Sequence, residues 1–582
     1  MKFLLVALNA KYIHSNPAVH SLRAYAKEEY QGNIEIAEYT INNESGTILA
    51  DLYKRQPDVV GFSCYIWNYD MVSSLVSEFH KLMPGVPIWL GGPEVSFDAG
   101  KILENKKEVT GIMIGEGEET FLHLLKHYLK EDGFDDLSKI AGIVTREGEY
   151  IPRPLLNMDT LPFLYSDMSP FENRIIYYES SRGCPFRCSY CLSSVDKTVR
   201  VRDFSIVKKE LQFFLDNKVP QVKFVDRTFN CVPQHTKDIW QYILEHDNGV
   251  TNFHFEVEAD ILRPEEMEIL QKMRPGLCQL EIGVQTTNPV TLKEIRRNMD
   301  VDKLRETVKK LLSFKTVHIH LDLIAGLPFE NYESFAKSFN DVYEMRPQQL
   351  QLGFLKVLKG AYMHEMADEY GIAYLDKPPY EVLYTKWLKY TEVVRLKGIE
   401  EMVEIYYNSN QFTHTLPVLE KEFDNAFSMY EELASFYEEK GYFVKTPSRM
   451  YRYDVLLEFI KSKVCDTSVK LYEELLLFDV YLRENVKSRP QFASFLAEDK
   501  ENIRTFYEKE VENSRYLKGY EQFDAKQMAR MTHLESFSYP VWSTDYEEVI
   551  KVLPQNRYVL FDYKERNPLT YEAKYTGNIT LA

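Results

Sequence analysis

Short apolar-rich runs alternate with amphipathic stretches along the first 130 residues. Phe3–Leu8, Ile34–Tyr39, Val59–Cys64, Ile88–Leu90 and Gly111–Ile114 read as buried strands. The segments near 17–30, 44–55, 70–83 and 118–130 carry the three-and-four apolar spacing of helices. Repeated βα units predict a doubly wound parallel sheet over 1–140. Asn9, Gly91-Gly92-Pro93 and Gly115-Glu116-Gly117 stand just past strand ends. In open α/β sheets the ligand crevice lies outside the carboxyl ends of the strands, so these turns are expected to line one site. Residues 142–153 read as a hairpin turning at Gly148, and a proline-bearing connector completes a linker over 141–172.

From Arg174 the rhythm resumes with a longer period. Candidate strands are Ile175–Ser181, Gln221–Asp226, Asn252–Glu258, Cys278–Val284, Val317–Ile324 and Gln349–Leu355, with helices such as Ile206–Leu215 and Val301–Leu312 between them. Six such units over 173–360 predict a partial (β/α)6 barrel of TIM type, with its chemistry at the C-terminal strand ends. Residues 361–582 are rich in helix formers at helical spacing, as in DVLLEFIKSK, and predict a mainly α-helical domain that could cover a substrate site. The last stretch, RYVLFDYKERNPLTYEAKY, suggests a terminal hairpin.

Composition narrows the function. The 582 residues are enough for several domains, and 70 Lys+Arg against 88 Asp+Glu give a net charge of −18, which argues against a nucleic-acid partner. The apolar start Phe3–Leu8 is too short for a signal-peptide core, and no run reaches the 18 residues of a membrane span, so a soluble cytoplasmic protein with no membrane partner is expected. Seven cysteines are an odd count, too sparse for a disulfide framework. Three of them fall within eight residues, which calls for a metal.

That run is Arg182-Gly183-Cys184-Pro185-Phe186-Arg187-Cys188-Ser189-Tyr190-Cys191, directly after an apolar strand. Three thiolates so spaced can hold three corners of an iron-sulfur cube and leave one iron open. Zinc would need a fourth ligand, usually from a second pair, and neither Cys231 nor Cys278 sits in one. CxxxCxxC with an aromatic residue before the last cysteine, here Tyr190, resembles the signature of the radical S-adenosylmethionine superfamily. The resemblance implies a 4Fe-4S cluster on Cys184, Cys188 and Cys191 whose open iron chelates S-adenosylmethionine and cleaves it to a 5′-deoxyadenosyl radical. Glu281-Ile282-Gly283-Val284-Gln285-Thr286 is similar to the family's ExGxQS run, and Asp322 through Pro328 is similar to its later turn. The family would place Glu258, Glu281 and Gln285 near the ribose or methionine moiety. The plainer reading is that these residues satisfy neighbouring backbone. At the second barrel strand the family has Gly-Gly-Glu or an Asp pair. Here Asp226 is followed by Arg227, a departure that puts the contacts of Asp226 in doubt.

Gly91, Gly92, Pro93 and Glu94, with Gly115, Glu116 and Gly117, resemble the strand-end turns of the cobalamin-binding Rossmann-like (flavodoxin-like) domain that precedes many such barrels. Glycine there lets a nucleotide tail approach the backbone. By the same resemblance Asn9, Ser63, Tyr65 and Trp67 would lie at or under the corrin; core packing is the alternative for the two aromatics. No DxHxxG motif supplies a histidine to cobalt. Methylthiotransferases acting on transfer RNA share the architecture, but they carry three further N-terminal cysteines where this chain has only Cys64. The resemblance therefore implies a cobalamin-dependent radical enzyme, with methylation of an unactivated carbon in a small molecule or peptide as the expected reaction and an external donor such as flavodoxin or ferredoxin supplying electrons. The rivals are a rearrangement or redox reaction without methyl transfer, and a non-catalytic corrin or cluster sensor.

Overall fold

The computed structural model describes residues 1–486, 488–493, 500–543, 549 and 555–580. The first sheet comprises β1 (Phe3–Asn9), β2 (Ile34–Thr40), β3 (Val59–Ser63), β4 (Ile88–Gly91), β5 (Gly111–Met113) and β6 (Ile143–Thr145) in the order β2-β1-β3-β4-β5-β6. All pairings but the last are parallel. Every residue of β1 is buried, because helices cover both sheet faces: Leu4, Val6 and Leu8 pack to one side, Phe3, Leu5 and Ala7 to the other.

The expected hairpin over 142–153 does not form. Residues 143–145 instead pair antiparallel with β5 and cap the sheet edge, and the chain returns irregularly, with Gly142 N–H donating to Ile151 O at 2.8 Å. The unpaired groups on the β5 edge offered a better ladder than a free hairpin could.

The second sheet is β7 (Ile176–Tyr178), β8 (Gln221–Phe224), β9 (Asn252–Glu256), β10 (Cys278–Gln285), β11 (Val317–Ala325) and β12 (Gln349–Phe354), all parallel and in sequential order. β7 is shorter than expected, since Ser181–Arg182 leave the sheet to pair with Arg200–Val201. Burial along β10 alternates strictly. Cys278, Leu280, Ile282 and Val284 join the core under the helices, while Gln279, Glu281, Gly283 and Gln285 face the other way. Helices thus cover one face only. The other lines a lumen carrying Lys223, His254, Glu256, Glu281, His318, His320 and Asp322, residues that alternate with apolar neighbours on the same strands.

After β12 the segment 356–388 lies against both units: Met363 N–H donates to Ser189 O at 2.8 Å, and Tyr380 Oη donates to Glu94 of the first unit. The helices beyond it share the barrel's core. Asn408 bonds both backbone groups of Leu350, at 2.9 and 2.8 Å, and so satisfies that residue on the outer edge of β12. Tyr430 and Phe427, in helix Ala426–Lys440, pack edge-to-face against Phe339 of the outer helix Tyr332–Tyr343. The C-terminal region also holds a three-stranded antiparallel sheet, Thr532–Phe537, Arg557–Arg566 and Ala573–Ile579, one strand more than the terminal hairpin.

Candidate functional site

The cysteine loop springs from the end of β7. Gly183 has φ +94°, and a Cβ there would sit 2.2 Å from Thr198 O, so only glycine permits this entry. Asp226, fully buried, accepts from Ser180 N–H at 3.0 Å, Ser180 Oγ at 2.7 Å and Ser181 Oγ at 2.5 Å, and it fixes the chain just before the loop. Burial raises its carboxyl to about 6 despite these donors. Cys184 and Cys188 are buried, Cys191 is half-buried, and all three are free thiols. Cys184 Sγ lies 3.4 Å from Thr228 Oγ1.

The loop's other wall is Arg297. Its Nη1 donates to Cys188 Sγ at 3.7 Å, and its Nη2 donates to both carboxylate oxygens of Glu258 at 2.8 Å and to Gly283 O. Burial raises the Cys188 thiol, with Arg297 pulling the other way. Burial also raises Glu258 to about 7 against the same guanidinium. Gln285 takes a left-handed φ of 69° and tucks its amide under Gly283, where a Cβ would meet Nε2 at 2.2 Å. Cys188, Tyr190, Glu258, Gln285 and Arg297 therefore form one neighbourhood. Sequence reasoning missed Arg297: nothing in Arg296-Arg297 distinguishes the two, yet Arg296 lies over the Tyr362 ring at 3.6 Å instead.

These residues fit an iron-sulfur cluster with a chelated ligand. Ser189 Oγ, Gln285 Oε1 and Arg297 Nε are buried without partners around the loop, and buried polar groups normally have them. The thiols are not gathered onto a single ion. Among the described residues, the one group of three ligand atoms within 4.8 Å of one another is Glu281, His320 and Asp322, whereas a tetrahedral zinc would hold its sulfurs about 3.8 Å apart.

Glu281 sits deeper in the lumen, bonded through Oε2 to Lys223 at 3.2 Å and His254 at 2.9 Å. Burial opposes its ionisation, but these partners prevail and hold it at about 2. Glu256 is raised to about 7 by burial and by Glu281.

The turns of the first sheet meet the barrel. Asn9 donates to His14 O at 3.0 Å and to Glu38 at 2.9 Å, and Ser63 accepts from Asn16 at 3.2 Å. The Tyr65 and Trp67 rings stack 4.4 Å apart at 8°, with Trp67 44% exposed, a flat apolar face left open. Gly92 has φ +116°, and a Cβ would lie 2.4 Å from Cys64 O; Gly91 abuts Met113, and Gly115 opens onto free space. Pro93 starts a short helix, and Gly117 packs on Leu22.

The two acids beside these glycines are engaged in ion pairs. Glu94 accepts from Tyr380 and lies 3.7 Å from Lys359 Nζ. Glu116 accepts from Arg182 at 3.1 Å, Arg200 at 2.9 Å and Leu156 N–H at 2.6 Å. Arg182 also binds Glu118 at 2.6 Å and Glu179 at 2.9 Å. One guanidinium thus ties the Gly115-Glu116-Gly117 turn to the residue before the cysteine loop.

Three family models match in the same order as these units: B12 binding domain over residues 4–125, Radical SAM superfamily over 178–342, and Protein of unknown function (DUF4080) over 368–561. The chain is similar to the cobalamin-dependent radical SAM methyltransferase TokK of Streptomyces tokunonensis, with 24% identity over 56% of this chain and 51% of that protein. It is also similar to the anaerobic magnesium-protoporphyrin IX monomethyl ester cyclase of Cereibacter sphaeroides, with 21% identity over 51% of each. The chain spans about half the length of the curated relatives it matches. In fold it resembles the cobalamin-dependent S-adenosylmethionine radical enzyme OxsB, at a TM-score of 0.57 and 15% identity over 82% of this chain and 80% of that one. A corrin-type α/β unit, a cysteine loop on an open parallel barrel and a DUF4080 region in one chain make this protein a member of the cobalamin-binding radical S-adenosylmethionine family.

Proposed function

We propose that the protein transfers a methyl group from S-adenosylmethionine to an unactivated carbon of a small molecule or peptide. The observation that carries this reading is the Arg182 cluster, which holds the strand-end turns of the first sheet against the cysteine loop. When bound, the cluster delivers the electron that breaks a carbon–sulfur bond of S-adenosylmethionine, and cobalamin carries the methyl group. Cys184, Cys188 and Cys191 hold the cluster. Arg297 lies beside Cys188 and keeps Glu258 and Gly283 in place, and Tyr190 and Gln285 close the walls of the nucleotide site. Gly115, which opens onto free space, admits the cobalamin tail, Gly91, Gly92 and Gly117 shape the same turns by packing on Met113, Cys64 and Leu22, and the Tyr65–Trp67 stack offers the corrin a flat apolar face. Asn9, Ser63, Pro93, Glu94, Glu116 and Asp226 shape this site through the chain, since their polar groups are engaged by protein partners or, for Pro93, set the turn. The segment 356–388 excludes water between the two units. An external flavodoxin or ferredoxin supplies electrons, and seven unpaired thiols suit the reducing cytoplasm. Among the described residues no helix is long and apolar enough to cross a membrane.

The test is anaerobic reconstitution followed by turnover with methyl-labelled S-adenosylmethionine and extract-derived small molecules. Label in a carbon-methylated product is expected together with 5′-deoxyadenosine. Deoxyadenosine with an unlabelled, altered product would move the reading to rearrangement or redox chemistry. No deoxyadenosine under reduction would overturn the enzyme reading.

A further inference from the structure

Segment 356–388 is anchored to the barrel at both ends. Val357 N–H donates to Tyr380 O at 3.0 Å and Val382 N–H to Leu355 O at 2.9 Å, so its return limb pairs with the chain leaving β12. Its middle reaches the cysteine loop through Met363 and Ser189, and Tyr370 Oη donates to Glu294 at 2.5 Å. From these anchors it grips one short stretch of the first unit. Lys359 Nζ lies 3.7 Å from Glu94 and 3.3 Å from Asp98. Gly360, at φ +87°, stands so close to Phe97 that a Cβ would overlap the ring. Tyr380 Oη donates to Glu94, and the Lys359 ammonium sits 5.2 Å above the Tyr380 ring.

Glu94 is 7% exposed and Tyr380 4%. A buried carboxylate needs such donors, and here both come from the segment. Tyr380 holds φ +56°, a region bulky residues rarely occupy, and such strain persists only where the surroundings over-determine it. Glu94 follows Gly91-Gly92-Pro93 at the carboxyl end of β4, where an open α/β sheet takes its ligand. The other ion pair to this unit, Lys377 with Asp70 at 3.7 Å, is exposed on both sides and contributes little.

We propose that segment 356–388 is a strap that retains cobalamin, with Tyr380 as the positioning residue that closes it on Glu94. Cobalamin seated at the β4 turn leaves when the strap parts from Glu94, Phe97 and Asp98, while the anchors on the barrel stay in place. The inference rests on cobalamin in the first unit and holds whichever reaction the enzyme runs.

The full-length chain, reconstituted without oxygen and loaded with radiolabelled hydroxocobalamin, would be chased with an excess of the unlabelled compound, and retained label followed by gel filtration. Tyr380→Phe, Tyr380→Phe/Lys359→Ala and Lys377→Ala would be run beside it. Release at least about tenfold faster is expected in Tyr380→Phe, the loss expected for a buried hydrogen bond to a carboxylate, and faster still in the double variant. Lys377→Ala should match the unaltered chain, and iron per chain should be the same in all four, which a general loosening of the fold would not leave unchanged. Hydrogen exchange in the unaltered protein gives a readout free of any variant: amides of 356–388 should exchange more slowly with cobalamin bound than without it. Unchanged release in both Tyr380 variants, equal acceleration by Lys377→Ala, or exchange in 356–388 indifferent to cobalamin would each overturn the proposal.

Discussion

Replacing Arg182 with alanine tests the link between the two cofactor-binding units. The side chain is 17% exposed and contacts Glu116, Glu118 and Glu179, whose exposures are 19%, 6% and 33%. Its removal leaves Glu118 without a cation and Glu116 with Arg200 alone. An uncompensated buried charge costs about 3–5 kcal/mol. Partial exposure of Glu116 and Glu179 argues for the lower end, about 3 kcal/mol. Adding Glu118→Gln removes the most buried of the stranded charges and should return about 1–2 kcal/mol, so a double-mutant cycle should show coupling of that size. Arg182→Lys keeps charge but loses the planar fork that serves three carboxylates, and should fall between the two. Urea denaturation of each variant gives the free energies, and limited proteolysis in the 141–172 connector reports whether the units separate before unfolding. A loss under about 0.5 kcal/mol in Arg182→Ala, or coupling near zero with Glu118, would refute the claim that this guanidinium holds the interface.

Gly92→Ala should lower stability by about 1–3 kcal/mol and weaken corrin uptake, because φ +116° and the carbonyl of Cys64 leave no room for a Cβ; thermal melting and the corrin spectrum after reconstitution check it. Arg297→Lys should leave the fold intact and reduce iron per chain after anaerobic reconstitution, since an ammonium cannot reach Cys188, Glu258 and Gly283 together; unchanged iron content would count against the role given to Arg297. Asp226, raised to about 6 in the fold from its ordinary 3.8, stabilises the protein fully below pH 3.8 and loses that contribution as pH rises through 6. The stability difference between Asp226→Asn and the unaltered chain should therefore move in favour of the asparagine by about 1.4 kcal/mol between pH 5 and 7.5, and a pH-independent difference would disprove it.

Periodicity located most elements to within a residue or two, because the alternation on β10 and the solid apolar run of β1 are local consequences of what covers each face. The cysteine run and glycine turns were legible for the same reason: contiguous residues carry their geometry. The hairpin at 142–153 went wrong where local turn chemistry competed with a sheet edge it could not foresee. Arg297 was invisible because its partners lie 14, 39 and 109 residues away, and Glu94 reads as a turn acid until Tyr380, 286 residues on, closes over it. Likewise Glu281, His320 and Asp322 look like scattered strand polars until parallel register stacks them in adjacent rungs. Residue order alone determined the secondary elements, their succession and the thiol spacing, all of which depend on near neighbours. Only the tertiary structure decided which buried charges meet, because an ion pair or a ligand set is defined by distances in space between residues that chain spacing leaves unrelated.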